Sequence, residues 1–290
     1  MKVSGFTIVR NALIYDYPIV ESIKSILPCV DEMVVAVGKS EDDTLGLIQS
    51  IGSPKIRIVE TVWDDRLREG GRVLAVETDK AKQAIDPASD WCFYIQGDEV
   101  LHEKFVPEVL SALERFKNQP EIEGLLFRYL HFYGAYHYQG NSRKWYRKEV
   151  RIVRNDPEIH AYRDAQGFRK GLRKLQVAEI DAAIFHYGWV KNPKFQQAKQ
   201  KNFHKFWHKD EELKKYVSQA DAYDYQQIDS LENFNGSHPE VMKNRIALMD
   251  WDFQFDPNKR KMRLKDKLLI WFEKWTGYRL FEYKNYQKIK

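Results

Sequence analysis

Between Trp91 and Glu103 an apolar, mainly aromatic run, Trp91-Cys92-Phe93-Tyr94-Ile95, stops at Gln96-Gly97-Asp98-Glu99. A run of this kind, bounded by Asp90 and Gly97, reads as a strand buried on both faces. Asp98 and Glu99 then lie just past its carboxyl end, the edge where ligands bind in open α/β sheets because no helix covers it. An acidic pair placed there can hold a hard divalent cation, which can in turn hold a diphosphate. Gly97-Asp98-Glu99 also suits a turn into a helix N-terminus, where carboxylates are favoured by the dipole. The surrounding chain has to decide between the two.

The elements leading to that turn alternate. Val3 to Val9 is a strand that Arg10 and Asn11 close with residues suited to a ligand loop; Asp16 is expected to cap a helix carrying Val20, Ile23 and Leu27, which Pro28 ends. Met33 to Val37 is a second buried strand. A polar loop then leads to a helix with Leu45, Ile48 and Ile51, terminated by Gly52. Ile56 to Val59 is a third strand, Trp63 to Gly71 an irregular charged loop, and a helix from about Arg72 to Ile85 returns the chain to Trp91. Strands and helices at this spacing form crossover units on a mainly parallel sheet.

Composition narrows the class. The 290 residues can bury a large core, and 47 basic residues nearly balance 42 acidic ones. From Lys259 to Lys274 seven basic and two acidic residues leave a surplus of five, which is the whole formal net charge of the chain. With the charge confined to one segment, nucleic-acid binding is the weakest reading. Cys29 and Cys92 fit neither a zinc spacing nor a disulfide framework and are expected as reduced core residues. The N-terminus lacks the apolar core of a signal peptide, and no stretch reaches the roughly 18 apolar residues of a membrane span. The expected location is the cytoplasm, or the inner face of the membrane as a peripheral protein.

Phe6-Thr7-Ile8-Val9-Arg10-Asn11 after the first strand, Ser40-Glu41-Asp42-Asp43-Thr44 after the second and Gln96-Gly97-Asp98-Glu99 after the fourth together resemble the nucleotide-sugar-binding half of family 2 glycosyltransferases. The resemblance covers about the first 190 residues. It implies a GT-A-like (Rossmann-like) α/β three-layer sandwich with a mixed, mainly parallel sheet and a C-terminal helical extension. It also implies a nucleoside-diphosphate sugar as donor and Mn²⁺ or Mg²⁺ as cofactor. Asp98 matches the final, metal-binding Asp of the family's Asp-x-Asp motif, while Gln96 replaces the first. The family's Asp pair after the second strand is also missing, with Val37-Gly38 in its place, and Asp64 or Asp65 could supply a substitute contact. Arg10, Asn11 and Asp65 are thus the candidate donor-binding residues beside Asp98. Asp164, in the segment Ile159 to Arg169, falls where similar enzymes place the catalytic carboxylate, with Glu158 and His160 as competitors. His186, ahead of Gly188, falls where related enzymes place a His that completes the metal site. Arg10, Lys39, Arg66, Arg68 and Lys191 are the candidate phosphate contacts.

Residues 1–103 would form the donor half, 104–240 the acceptor half and 241–290 a basic amphipathic extension. In the acceptor half, Gly124 to Tyr133, Glu149 to Arg154 and Ile180 to Trp189 read as strands. Tyr136, His137, Tyr138, Trp145 and Tyr146 could form a sugar cleft, since aromatic faces pack on pyranose rings, or could equally be core. Phe195, Lys199, Asn202, Phe203 and Phe206 lie on one helical stripe, read as a helix packed over the site; His204 and His208 beside it are not a metal motif. In the extension, Leu264, Leu268, Trp271, Phe272 and Trp275 share one helix face opposite the basic side chains, a pattern suited either to an anionic membrane surface through residues 259–275 or to docking on the protein's own core. The partners expected are therefore a nucleotide sugar, a glycan or glycolipid acceptor and that membrane surface. A non-catalytic nucleotide- or glycan-binding module on the same fold is the alternative.

Overall fold

A computed structural model describes the chain apart from residues 68, 208–214, 216, 217, 219, 259–261 and 290. The alternation expected of the first hundred residues is present: β1 (Val3–Val9), α1 (Ile19–Ile26), β2 (Glu32–Gly38), α2 (Thr44–Gln49), β3 (Ile56–Thr61), α3 (Arg72–Gln83) and β4 (Trp91–Tyr94). Short β5 (Glu99–Leu101) and α4 (Val106–Phe116) follow, then the long β6 (Gly124–Tyr133), β7 (Ala135–Gly140) and β8 (Lys148–Arg154). β9 (Ile159–Tyr162), β10 (Gly167–Lys170) and β11 (Arg173–Lys174) form a separate antiparallel sheet. The chain continues through β12 (Gln176–Trp189), α5 (Pro193–Lys205), β13 (Leu231–Asn233), α6 (Lys243–Ala247), α7 (Leu264–Thr276) and β14 (Gln287–Lys288).

The main sheet runs β3-β2-β1-β4-β8-β6, with the first four strands parallel and β8 antiparallel to both its neighbours. β6 pairs in addition with β7 and, in parallel, with β12. Helices cover both faces, so the architecture is a mixed α/β three-layer sandwich. On one face Ile19, Ile23 and Ile26 of α1 and Val109, Ala112 and Leu113 of α4 join the core; on the other Ala75 and Ala81 of α3 pack with Ile159, Ala161 and Phe168 of the small sheet. Each fully buried isoleucine of α1 contributes about 1.5–3 kcal/mol. This helix departs from expectation at its start. Pro18 takes the N-cap, while Asp16 has a φ of +48° and pairs with Arg245, because the chain turns sharply before the helix and a left-handed residue cannot serve as its cap.

Two registers bring the site together. β5 runs antiparallel to β12 with His186 opposite Glu99, and β12 runs parallel to β6 with His186 opposite His131. One strand of 14 residues thereby carries an imidazole to the acidic turn after β4. Cys29 and Cys92 are free and buried, and burial pushes both thiols up to about 12. Among the described residues no helix is long and apolar enough to cross a membrane.

Candidate active site

At the carboxyl ends of β1 and β4 lies a cavity of about 480 Å³. Arg10, Gln96, Asp98, Asp164, His186 and Lys199 line it together with the aromatic rings of Tyr17, Trp63, Tyr146, Trp189 and Phe206. Four residues picked from the sequence, Arg10, Asp98, Asp164 and His186, thus meet in one space although they span most of the chain.

Asp98 and Glu99, adjacent in sequence, do different things. Glu99 is fully buried and faces away from the cavity wall. Its two oxygens receive Arg151 Nη2 at 2.5 Å and Nε at 2.7 Å, its Oε1 also accepts the Tyr129 hydroxyl, and its Oε2 accepts the backbone N–H of Gln96 at 3.1 Å. The expected acidic pair is therefore not a joint cation ligand: Glu99 is used up in fixing the turn. Gln96 ties that turn to the Asp164 loop, donating from Nε2 to the Ala165 carbonyl at 3.3 Å. Asp98 alone faces the cavity, with Lys199 Nζ at 2.9 Å and His186 Nε2 at 3.7 Å from its Oδ2. Burial by itself would raise the Asp98 carboxyl, but the Lys199 ammonium and the His186 ring outweigh it and hold the group well below the carboxylate range.

The hydrogen-bond chain behind His186 assigns its tautomer. His131 is buried, and burial together with the neighbouring ring holds it neutral. Its Nε2 lies 3.0 Å from the Tyr146 carbonyl, which can only accept, so that nitrogen carries the proton. Its Nδ1 must then accept from His186 Nδ1, 3.2 Å away. His186 therefore carries a proton on Nδ1, and the ring nitrogen it turns toward Asp98 and the cavity is Nε2. Gly188 keeps the space before these two groups open, since a Cβ there would stand 2.5 Å from His186 Nε2 and 2.6 Å from Asp98 Oδ2. An oxygen and an imidazole nitrogen converging on an open cradle fit a divalent cation of the Mn²⁺ type. Among the described residues no group of three or more His, Cys, Asp or Glu side chains meets a metal's needs, so further ligands would come from the bound substrate and water.

Lys199, on α5, occupies the neighbourhood of that cradle and also donates to the Gly188 carbonyl at 2.9 Å. Its ammonium and a metal ion would compete for one carboxylate. Lys199→Met should therefore tighten Mn²⁺ binding about tenfold in calorimetry without nucleotide, a hydrogen bond to a charged group being worth roughly 1.5–3 kcal/mol. Weaker binding in the variant would instead make Lys199 the group that holds Asp98 in position.

Asp164 enters the cavity from the loop between β9 and β10. Its neighbours Arg163 and Ala165 have φ values of +56° and +60°, a strained arrangement for residues with a side chain. Gly71 packs directly beneath, leaving room for the Asp164 Cβ that any larger residue would fill. Burial raises its carboxyl above the ordinary Asp value. The two competitors lie elsewhere: Glu158 is 3.5 Å from Lys170 Nζ, with a side chain 70% exposed, and His160 contacts the Glu158 carbonyl. Neither lines the cavity.

The remaining expectations divide. Arg10 lies over the Trp63 ring and is 2.7 Å from Asp65, whose side chain is 58% exposed outside the cavity wall. Asn11 is buried with its Oδ1 accepting the Glu41 N–H at 2.8 Å, so its side chain braces the loop after β2 and does not line the cavity. Asp64 is tied to Arg66 at 2.8 Å on the surface, and Lys39 does not reach the cavity. Lys191 is fully buried, its ammonium bound by the carbonyls of Tyr15 at 2.6 Å and Asp16 at 3.0 Å. Arg68 and His208 lie outside the described residues. Most of the aromatic cluster is core: Tyr136 packs with Tyr187 and Trp251, and Tyr138 with Phe253, while Tyr146 reaches the cavity.

The fold and the site together define a class: a mixed α/β protein with its cavity beyond the strand ends, an Asp–His pair at one side and a loop carboxylate at the other. Particular proteins of known structure share part of this chain path. A 1–349 fragment of S. aureus TarS aligns over 70% of this chain and 64% of its own, at 12% identity and a TM-score of 0.43; the same fragment solved with UDP aligns over 69% and 64%, at 14% and 0.42. Mycobacterium tuberculosis glucosyl-3-phosphoglycerate synthase, solved with Mn²⁺, uridine-diphosphate and phosphoglyceric acid, aligns over 45% of this chain and 43% of its own, at 21% and 0.31. The chain thus spans less than two thirds of the length of either protein. No family model matches the sequence, and no curated protein does.

Proposed function

We propose that this protein is a glycosyltransferase that moves a sugar from a nucleoside-diphosphate donor to a glycan or lipid-linked glycan acceptor, with inversion at the anomeric carbon. The observation that carries the reading is the convergence of Asp98 and His186 with Asp164 on one cavity. Asp98 and His186 would hold a Mn²⁺ or Mg²⁺ ion whose charge offsets that developing on the departing diphosphate. Arg10, held by Asp65, extends along the donor side of the cavity. Asp164 takes the proton of the acceptor hydroxyl as that oxygen bonds to the anomeric carbon and the bond to the diphosphate breaks. A raised carboxyl suits this role, because a base nearer the working pH removes the proton more readily.

In this reading residues 1–103 supply the donor half, 104–240 the acceptor half and 241–290 the extension. The protein would work in the cytoplasm, peripheral on the inner face of the membrane, engaging an anionic surface through residues 259–275. Lys259, Arg260 and Lys261 of that segment lie outside the described residues. What supports the membrane part is the outward apolar face of α7, where Leu264, Leu268, Trp271 and Trp275 are 65–79% exposed and do not dock on the core.

A thermal-shift panel of UDP, GDP, CDP and dTDP, each with and without Mn²⁺, tests the donor site on wild type and Asp98→Ala. At a hundredfold excess over its dissociation constant a ligand of the native state adds about 2.7 kcal/mol. One nucleotide should stabilise the wild type in a manner that needs both metal and Asp98. A flat response to all four removes the proposal, and binding without sugar transfer in any assay leaves the non-catalytic module.

A further inference from the structure

A second cavity, of about 410 Å³, lies between the loop of residues 141–148 and the C-terminal segment from α7 onward. Six cationic side chains line it, Arg143, Lys144, Arg147, Lys148, Lys265 and Arg279. Three carboxyl groups face them, Glu149, Asp266 and Glu282, and burial pushes Glu149 up to about 8. The lining therefore keeps a surplus of positive charge near neutral pH. Much of that charge is spent inside the fold: Arg143, at 3.0 Å, and Arg147 both pair with Glu273, which anchors α7, Lys148 is 2.5 Å from Glu179, and Arg279 is 3.5 Å from Glu282. Lys144, with a side chain 66% exposed, has only Asp229 at 3.4 Å, and Lys265 makes no ion pair among the described residues.

Two continuities give this cavity a place in the chemistry. Tyr146 and Gln166 line both cavities and form their common wall, and Gln166 is two residues from Asp164. Gln166 Nε2 donates to Glu149 Oε1 at 2.7 Å, while Glu149 Oε2 is buried with no hydrogen-bond partner. Toward the outside, Phe281 and Tyr283 line it with Leu269 of α7, the two rings 85% and 68% exposed. A groove with surplus cations, ring faces and the buried Glu149 carboxyl lies between that surface and the wall formed by Tyr146 and Gln166.

We propose that this groove is the acceptor subsite and that it takes a phosphate-bearing glycan, the phosphate held by Lys144, Lys265 and the neighbouring arginines and the sugar laid on the aromatic wall toward Asp164. Guanidinium and ammonium groups match phosphate oxygens, and aromatic faces match the apolar face of a pyranose. The inference rests on the glycosyltransferase reading for its role, but the binding it predicts does not depend on that reading.

The test is calorimetry with glucose 6-phosphate, against glucose as neutral control, with UDP and Mn²⁺ at saturation so that the donor site is filled. Wild type should bind glucose 6-phosphate at least tenfold more tightly than glucose, and the surface double variant Lys144→Glu with Lys265→Glu should lose that preference while its thermal shift with UDP stays as in wild type. Flotation with phosphatidylglycerol vesicles against phosphatidylcholine vesicles identifies the source of the phosphate: binding to the anionic vesicles that saturating glucose 6-phosphate competes away assigns a lipid-borne group, and glucose 6-phosphate binding without such competition assigns a free one. Equal affinity for glucose and glucose 6-phosphate with no vesicle binding overturns the proposal, as does binding the double variant keeps. If UDP gives no shift while glucose 6-phosphate still binds in a Lys144- and Lys265-dependent way, the transferase reading fails and the phosphate site stands.

Discussion

Replacing Asp98 by Asn is expected to lower kcat/KM about a thousandfold with the donor nucleotide that the binding panel selects, while the melting temperature stays within a few degrees of wild type. The first half follows from charge. Among the described residues Asp98 is the one carboxylate that faces the Asp–His cradle, and removing its charge takes away the ligand that would fix the cation against the departing diphosphate. Such stabilisation is worth several kcal/mol, and about 4 kcal/mol corresponds to three decades in rate. The second half follows from the division of labour in the turn, since the bonds that fix the turn go to Glu99 and an Asn side-chain oxygen can still accept from Lys199. Steady-state kinetics beside a thermal melt reads both. Turnover within tenfold of wild type would mean that the diphosphate is held elsewhere, with Lys199 the first place to look.

The largest effect on stability is expected from Arg151→Met. Arg151 is fully buried and its fork closes on Glu99, while Nη1 donates to the carbonyls of Gln166 at 2.9 Å and Val150 at 3.0 Å. One side chain thereby ties the turn bearing Asp98 to the loop bearing Asp164. Removing one member of a buried ion pair strands the other charge, at a cost of roughly 3–5 kcal/mol. For a chain of this size that lowers the melting temperature by roughly 6–20 °C. The double variant Glu99→Leu with Arg151→Met should lose less than the two single losses added together, because neither charge is then stranded. A single-variant drop below 2 °C, or strict additivity in the double, would show that the pair does not join the two halves of the site.

That pair also shows where sequence reading stops. β4, β2 and β6 were legible because strands buried on both faces leave continuous apolar runs, and the strand and helix positions around Asp98 follow from them. In Val150-Arg151-Ile152-Val153-Arg154 charged residues interrupt the apolar ones, so the sequence gives no sign of full burial. In the structure Val150 to Val153 are all buried, and Arg151 is tolerated there only because a carboxylate 52 residues earlier in the chain meets it. Alternation reports burial for apolar residues but is silent about which charged residue has a buried partner. Lys199 was placed on the stripe over the site yet not at Asp98, because a helix stripe fixes a direction and not a reach. His131 gave no signal, being one polar residue inside a long strand, and its role exists only through the pairing of β6 with β12. The aromatic wealth of the second half left cleft and core equally open, and the structure puts Tyr136, Tyr138 and Trp145 in core clusters.

The proton order along Tyr146, His131 and His186 has a lasting effect on what this site can become. Its starting point is a peptide carbonyl, which every amino acid at position 146 supplies alike. Side-chain exchange at 146 therefore leaves the direction of the relay untouched, and the proton on His186 Nδ1 is specified by the course of the backbone. A lineage of such chains could redesign its rings, its acceptor and its nucleotide preference while Nε2 of His186 kept pointing the same way.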